Sequence, residues 1–599
     1  MQKIRHIVLA LLLVLGGLPL HAQWSGSLEG LGGFGWLPQR DAELDSPLHH
    51  ARGQLGAQVT FRKPTLVWTS SLSGSYAYKE TDTFRASLTG LNKDEKPMTA
   101  DAVMKFNSGH NMGINASSRL QWTSAASRSY ETWLSYRFTQ DWAENYTYKE
   151  HASLTPDDVV DEKMGLYMEK PETENHVVTG GFRTTQWLGA PSRVLKGELT
   201  VEGNLRNQSS TWIKLDASET NLSANIYRIT PKTDRRVVSA HVQYLDSLFK
   251  GEPFVLRISP GLRMVSDHAL DHNSGATMEG EEGGEIIWRD SVRLRESFNF
   301  LALRAEPYLA ADFSWNKLKA HVDYAPQLYA RRLTNDTHNQ ALQFRPVYPV
   351  GEGWVSWTFS PRHKVTLQNN MSVQHPDYIQ ICWFERQGAY MNQIYRGKDN
   401  LRSVHTIAWG LNYEFKYKRF VSTTLLSFTT RRNEIDQTYT NETIDDRAYQ
   451  VFTWVNAADS RSTGIWEELG WNGKVLHAHI GVNYNGTRRQ HRETGQVKTS
   501  TDWRAWADAS LTLPKDWTIQ ADLNYRSDVA TFFTLFKQYC TFNARIQKRF
   551  KKVNLYLEGR DLLDNESVTE YVSADQNEAW SENTRYNRRL IILGAKWNF

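Results

Sequence analysis

The sequence predicts an all-β chain, a transmembrane antiparallel β-barrel of about 22 strands with short periplasmic turns and long extracellular loops. Three observations predict it. Apolar residues recur at every second position over most of the chain, short turns alternate strictly with long polar segments, and the last residues form a strand that ends on Phe599. Aromatic residues make up 12% of the chain, yet mean hydropathy is −0.57. After the first two dozen residues no apolar run approaches the roughly 20 that a spanning helix requires, so hydrophobicity is carried by alternation.

The chain opens on MQKIRHIVLALLLVLGGLPLHAQW, with basic Lys3 and Arg5, an apolar core over Ile7–Leu15, a Gly/Pro break and the small residue Ala22. This pattern predicts a cleaved export signal over residues 1–22 and a single barrel domain over 23–599. No Cys follows the apolar core, which argues against a lipoprotein anchor. Only Cys382 and Cys540 exist, so the spacing permits one bridge and no disulfide framework. A net charge of +4 without a polybasic block predicts no nucleic-acid partner.

The hairpin unit is clearest late in the chain. Trp503, Ala505, Ala507, Ala509, Leu511 and Leu513 share one face, Pro514–Asp516 turns the chain, and Trp517, Ile519, Ala521, Leu523 and Tyr525 return on the same face. Nine further turns are expected, at 62–64, 123–127, 189–192, 250–253, 316–317, 360–363, 417–419, 472–473 and 549–551. Long polar segments alternate with them, at 79–106, 141–174, 206–234, 266–296, 332–352, 374–402, 433–460, 487–501, 527–537 and 562–584. With a first strand over Gly26–Trp36 and a first loop to His49, the tally is about 22 strands, with both ends periplasmic. Ile226–Ile229 reads as strand but is assigned to a loop, because a single-chain barrel of this kind requires an even count.

Aromatic residues flank the expected turns: Phe61, Trp122, Trp187, Phe254, Trp315, Phe359, Phe415, Phe420, Trp471, Trp517 and Phe550. Amphipathic rings favour the headgroup layer, so this series predicts a periplasmic girdle. The opposite phase carries His321, Asp323, Glu414, His477, His479, Asp508, Asp522, Glu558 and Arg560, which predicts a polar lumen. A barrel of about 22 strands is too wide for side chains to fill, so its interior holds water or a polar plug. The closing strand is expected to present Ile591, Leu593, Ala595, Trp597 and Phe599 to lipid, with Lys596 and Asn598 between them.

Several strings resemble the TonB-dependent receptors, especially their relatives in Bacteroidota. VQHPDYI (373–379) and DNLRSVHTIAWGLNYEF (399–415) are similar to that family's Arg-Pro-x-Tyr stretch and its later Asn-x-x-Leu-x-x-Glu strand entry, with His375 in place of Arg and Val404 near the position of Glu. YLEGRDLLDN (556–565) resembles its penultimate strand, and residues 590–599 its closing strand. The motifs run in order over about 351–599; the N-terminal half matches in rhythm alone. The resemblance implies an outer-membrane location and transport of a solute from the cell surface. Receptors of that family carry an N-terminal plug and a box that pairs with TonB; here strand alternation begins near Gly26, so a plugless barrel is expected, open, closed by its own loops or closed by another polypeptide.

Catalysis is not expected. The segment 266–289 carries Asp267, His268, Asp271, His272, Glu279, Glu281, Glu282 and Glu285, a donor set that could hold a divalent cation. The glycines around them favour a solvated loop instead. His477 and His479 share one strand face and read as lumen lining, and Asp157, Asp158, Asp161 and Glu162 read as solvated loop charge. No phosphate-binding loop and no nucleophile motif is present, so no cofactor and no metal is expected. The stronger lead is a set of loop aromatics, Trp212, Trp288, Trp383, Phe384, Tyr390, Tyr395 and Trp454. Rings at loop tips either line a ligand vestibule or pack the loops together.

Expected partners are outer-membrane lipid and lipopolysaccharide, the barrel-assembly machinery through the C-terminal strand, and a plug or lipoprotein supplied in trans. The expected function is a transporter or receptor-like channel for a solute. The alternative is a structural or assembly platform that binds surface lipoproteins or serves as a secretion channel.

Overall fold

The computed structural model describes residues 23–598 except 38–47, 90–97, 126–127, 155–158, 190–191, 219–220, 250–253, 274, 281–285, 291–295, 336–340, 342, 382–384, 388–392, 445–446, 531–533, 564–566, 573–577 and 587–589. The expected signal, Cys382, Trp383, Phe384, Tyr390 and Phe599 lie outside the described residues.

Twenty-two long strands form a closed antiparallel barrel, each paired with its neighbours in chain order. Closure joins the first strand, Gln23–Leu37, to the last, Leu590–Asn598, through eight register pairs from Ser27↔Asn598 to Phe34↔Ile591. A closed barrel leaves no unpaired edge in the lipid, where an unsatisfied backbone amide costs several kcal/mol. Nine of the ten expected turns fall at junctions of consecutive barrel strands; the tenth, 250–253, lies outside the described residues. The Pro514–Asp516 turn joins Val497–Leu513 to Trp517–Arg526 with Leu513 opposite Trp517, and Lys515 and Asp516 take positive φ of 65° and 60° there.

The alternation holds in three dimensions. Leu309, Ile480 and Leu593 are exposed by 58%, 59% and 67%, each on the same phase as the other apolar residues of its strand. Trp187, Trp315, Trp471, Trp517, Phe359 and Phe550 are likewise exposed beside their turns. Phe61 differs: it is only 1% exposed, directly opposite Trp68 and with the Lys63 ammonium over its ring. Neighbours on its own hairpin cover it before lipid can.

Several polar segments expected as loops are largely paired strand. Arg128–Leu154 and Val159–Trp187 pair along almost their whole length, so most of 141–174 is a hairpin standing above the membrane. Asp267–His272 also belongs to a strand, Phe254–Asn273, rather than to a loop. A polar sequence removes the lipid-facing apolar phase without removing the backbone donors and acceptors, so the antiparallel ladder continues into water. Ile226–Ile229 is indeed strand, within Asn221–Ile229, but it folds back on the top of Val194–Ser218. The lower part of that strand pairs instead with Lys232–Phe249, so the even count stands.

On the inner face, four glycines lie directly opposite aromatic residues: Gly181 and Trp133, Gly261 and Tyr308, Gly481 and Trp506, Gly594 and Tyr556. In each pair the ring lies across the glycine, where a Cβ would overlap it. Three of these rings also carry an arginine, with Arg263 at 4.1 Å from the Tyr308 centroid, Arg545 at 3.9 Å from Tyr556 and Arg183 at 5.7 Å from Trp133. The glycines let large rings lie flat against the wall and leave the lumen open beside it.

Candidate functional site at the barrel mouth

The lumen wall is polar, and many of its charges are paired. Glu414 accepts from Lys364 at 2.6 Å and Lys416 at 3.2 Å, His321 lies 2.8 Å from Asp312, and His479 lies 3.2 Å from Asp508. Asp323 pairs with Arg263, and Glu558 with Arg560. Asp267 takes a bidentate pair from Arg235, while His268, on the opposite phase, hydrogen-bonds Asn299. No group of three or more His, Cys, Asp or Glu side chains is placed to hold a metal among the described residues.

Towards the extracellular end this polar wall becomes apolar at one place. Ala269, Phe298, Phe300, Ala302, Tyr329 and Leu333 come from three adjacent strands, Phe254–Asn273, Glu296–Trp315 and Leu318–Asn335. Each is on the phase opposite to the lipid-exposed Leu262, Met264, Leu303, Leu309, Val322 and Leu328, and so faces the interior. Against this patch pack Tyr378 and Ile381 of a single helical turn, Tyr378–Ile381, together with Leu401. All three belong to the segment between strands His363–Gln374 and Val404–Tyr417, so that segment folds inward and seats on the inner wall. Ile381 is buried to 1% exposure. Burying large side chains of this kind contributes about 1.5–3 kcal/mol each, enough to hold a segment of this size in place.

A polar network fixes both ends of the seated segment. At its start, His375 stacks on Tyr329 and bonds Ser403 Oγ through Nδ1 at 2.8 Å and Gln327 Oε1 through Nε2 at 2.7 Å. Gln327 donates its amide to Glu306 at 2.7 Å, which leaves Oε1 as the acceptor for His375. The imidazole is therefore the Nε2–H tautomer, with Nδ1 accepting from Ser403. Burial, and then the charges of Arg304, Arg331 and Arg345, push His375 down to about 4, so it is neutral at physiological pH. At the far end Asn456 accepts from the Arg402 amide at 2.8 Å and donates to the carbonyls of Arg402 and Asn433 at 3.0 and 2.9 Å. Asn433, with a φ of 61°, donates to Ser403 O at 3.1 Å, and Arg331 reaches Asp399 O at 2.6 Å.

Between these anchors the segment joins the sheet. Gln393–Arg396 pairs in parallel with Gln450–Thr453 of the tall hairpin Phe420–Ile444 and Arg447–Asn472, and Arg396 makes two 3.1 Å bonds to Glu442. The segment thus spans from the apolar patch to the next hairpin along the wall, whose Ile435 and Trp454 also pack on the same cluster.

Of the loop aromatics singled out by sequence, Trp454 packs against the seated segment. Tyr395 lies in its strand Gln393–Arg396, opposite Phe452. Trp212 belongs to Val194–Ser218 and Trp288 to the short strand Ile286–Asp290. Trp383, Phe384 and Tyr390 are outside the described residues. Sequence reasoning missed Phe298, Phe300, Tyr329 and Asn456. The one available signal was Phe298 and Phe300 standing on a phase that should be polar.

Comparison with known proteins agrees with this architecture. Residues 351–597 match the family described as outer membrane protein beta-barrel family. No curated protein matches the chain. Among solved structures, the chain resembles the ferric citrate transporter FecA in its unliganded form, at 10% identity and a TM-score of 0.58, with 96% of this chain and 78% of that one covered. It is equally similar in fold to the ferripyoverdine receptor of the outer membrane of Pseudomonas aeruginosa, at 10% identity and a TM-score of 0.58, covering 97% and 72%. The siderophore receptor PirA from Acinetobacter baumannii gives a TM-score of 0.52 at 9% identity, covering 97% and 81%. The family match covers the C-terminal part of the barrel, and the likeness to these receptors is one of fold.

Proposed function

We propose that the chain is a transporter or receptor-like channel for a solute at the cell surface, with residues 375–381 and 393–403, described parts of the segment between His375 and Ser403, as the gate of its lumen. The observation that carries this reading is the inward seat of Tyr378, Ile381 and Leu401 on the apolar inner patch. A structural platform has no need to fold a loop into its own channel and to anchor it at both ends. Likeness in fold to structures named as a transporter and receptors supports the same reading. In it, residues 1–22 direct export and are removed, the closing strand with Ile591, Leu593, Ala595, Trp597 and Phe599 engages the assembly machinery, and any plug or lipoprotein partner acts in trans beneath the gate. The loop aromatics Trp212, Trp288, Trp383, Phe384, Tyr390 and Tyr395 serve as ligand contacts at the vestibule. The reading is one of transport, without catalysis.

Single-channel conductance in a planar bilayer tests it. The intact protein should show low or intermittent conductance, and the Tyr378→Ser/Ile381→Ser variant a larger and steadier one. A wide, steady conductance of the intact protein that this variant leaves unchanged would overturn the gate.

A further inference from the structure

Several lumenal arginines in this barrel have a carboxylate beside them: Arg183 has Glu198 and Glu131, Arg263 has Asp323 and Glu306, and Arg545 has Glu558. Arg504 and Arg526 do not. They stand directly opposite each other on the paired strands Val497–Leu513 and Trp517–Arg526, both on the inner phase, and among the described residues neither guanidinium has an ion-pair or hydrogen-bond partner. The buried Nε of Arg526 is left unsatisfied. Asp502, two residues up the same strand, makes no ion pair with Arg504, and Asp528 is engaged by Lys537 and the Gln538 amide. Like charges directly opposite on an antiparallel pair are destabilising, and a buried donor without a partner costs more. The pair thus presents two uncompensated guanidinium groups to the lumen.

The surroundings say what else the anion carries. One row of directly opposed residues runs across five strands as Trp466, Asn483, Arg504, Arg526 and Tyr539, and the adjacent row includes Trp506 and Asn524. Together they line a cavity of about 690 Å³. Trp466 and Trp506 lie 20° from parallel with centroids 5.9 Å apart, and Trp506 is held flat across Gly481. On the outer face at this level, Trp503 and Tyr525 lie 4.6 Å apart, as rings do near a membrane boundary. The cavity therefore opens near the extracellular end of the lumen, where a solute from outside arrives first.

We propose that this cavity binds an anionic, ring-bearing solute, with its carboxylate or phosphate between Arg504 and Arg526 and its ring against the Trp466–Trp506 face. Paired guanidinium groups suit such oxyanions, Asn483 and Asn524 supply neutral donors and acceptors, and flat aromatic faces suit a sugar or aromatic ring. The proposal rests on the reading of the lumen as open to solutes, but binding does not require passage.

The test is isothermal titration of the full-length barrel in detergent with phenyl phosphate, inorganic phosphate and benzyl alcohol. Phenyl phosphate should bind about tenfold or more tighter than either of the others. R504Q/R526Q should weaken it by about tenfold or more, R504K/R526K by less, and Trp506→Leu should bring it towards inorganic phosphate, while heat-modifiable migration on gels confirms that each variant is folded. Absence of phenyl phosphate binding, equal affinity for inorganic phosphate, or an affinity that R504Q/R526Q leaves unchanged would overturn the assignment. A barrel that binds in this way yet shows no response in the gate measurement would overturn the transport reading and leave the binding site standing.

Discussion

His375 lies flat on Tyr329, with ring centroids 3.5 Å apart and planes 6° from parallel. One ring belongs to the inner wall and the other to the first residue after strand His363–Gln374, so the stack marks the point where the chain leaves the sheet and turns into the lumen. Burial, and then three nearby arginines, require a neutral imidazole there, which donates from Nε2 to Gln327 and accepts at Nδ1 from Ser403.

That requirement gives the seat a pH dependence. A histidine held at about 4, below its ordinary 6.5, stabilises the seated form fully above pH 6.5 and loses that contribution as pH falls towards 4. Conductance in a planar bilayer should accordingly be constant above about pH 7 and rise between pH 6.5 and 4. His375→Gln, which does not titrate, should remove this response; a rise that persists in the variant would assign it to another group.

Asn456 ties the far end of the segment to the hairpin of Phe420–Ile444 and Arg447–Asn472 through three bonds. Asn456→Ala should free Arg396, Lys398 and Arg402 for trypsin and speed cleavage there by about tenfold, while the barrel stays folded. Limited proteolysis followed by mass spectrometry checks this, and an unchanged cleavage rate would show that the apolar seat alone suffices.

Ile480 and His479 are neighbours on one strand with opposite surroundings, the first 59% exposed on the lipid phase and the second bonded to Asp508 in the lumen. Ile480→Arg should cost about 2–4 kcal/mol near the bilayer midplane, whereas His479→Arg keeps an acidic partner and should cost less than about 1 kcal/mol. Urea unfolding from lipid vesicles measures both, and equal losses would contradict the assigned faces.

Gly594 sits in the closing strand under the Tyr556 ring. Gly594→Val forces that ring off the wall and should reduce the yield of heat-modifiable barrel, and Tyr556→Ser in the same chain should restore part of it. Both can be read on unboiled gels. Loss without any rescue would mean that the glycine is needed for its backbone rather than for the ring.

The barrel was legible because lipid imposes one rule on every strand. Trp503 to Tyr525 reads as a hairpin from its alternation alone, and the ten turns follow from Pro, Asn, Gly and Lys clusters beside aromatic residues. The same rule requires an even count, which keeps Ile226–Ile229 out of the wall, and the strand Asn221–Ile229 there pairs on top of Val194–Ser218. Above the membrane the rule lapses. Residues 141–174 look like a loop because their polarity carries no phase, although the ladder of hydrogen bonds runs through them.

The site was less legible for a different reason. His375 and Tyr378 stand in a recognisable string, but nothing local says that the segment after Gln374 turns inward. That depends on Phe298, Phe300, Tyr329 and Leu333, brought together from strands far apart in sequence, and on Asn456 about fifty residues further on. Arg504 and Arg526 likewise read as ordinary lumenal charge, since whether an arginine has an acid beside it is a matter of register across strands.

The sequence by itself determined the membrane, the strand rhythm, the direction of each face and the closure on residues 590–598, because alternation against lipid is a local property of each strand. Only the tertiary structure decided what occupies the mouth and which lumenal charges stay uncompensated. Both depend on contacts between strands whose register is fixed when the barrel closes.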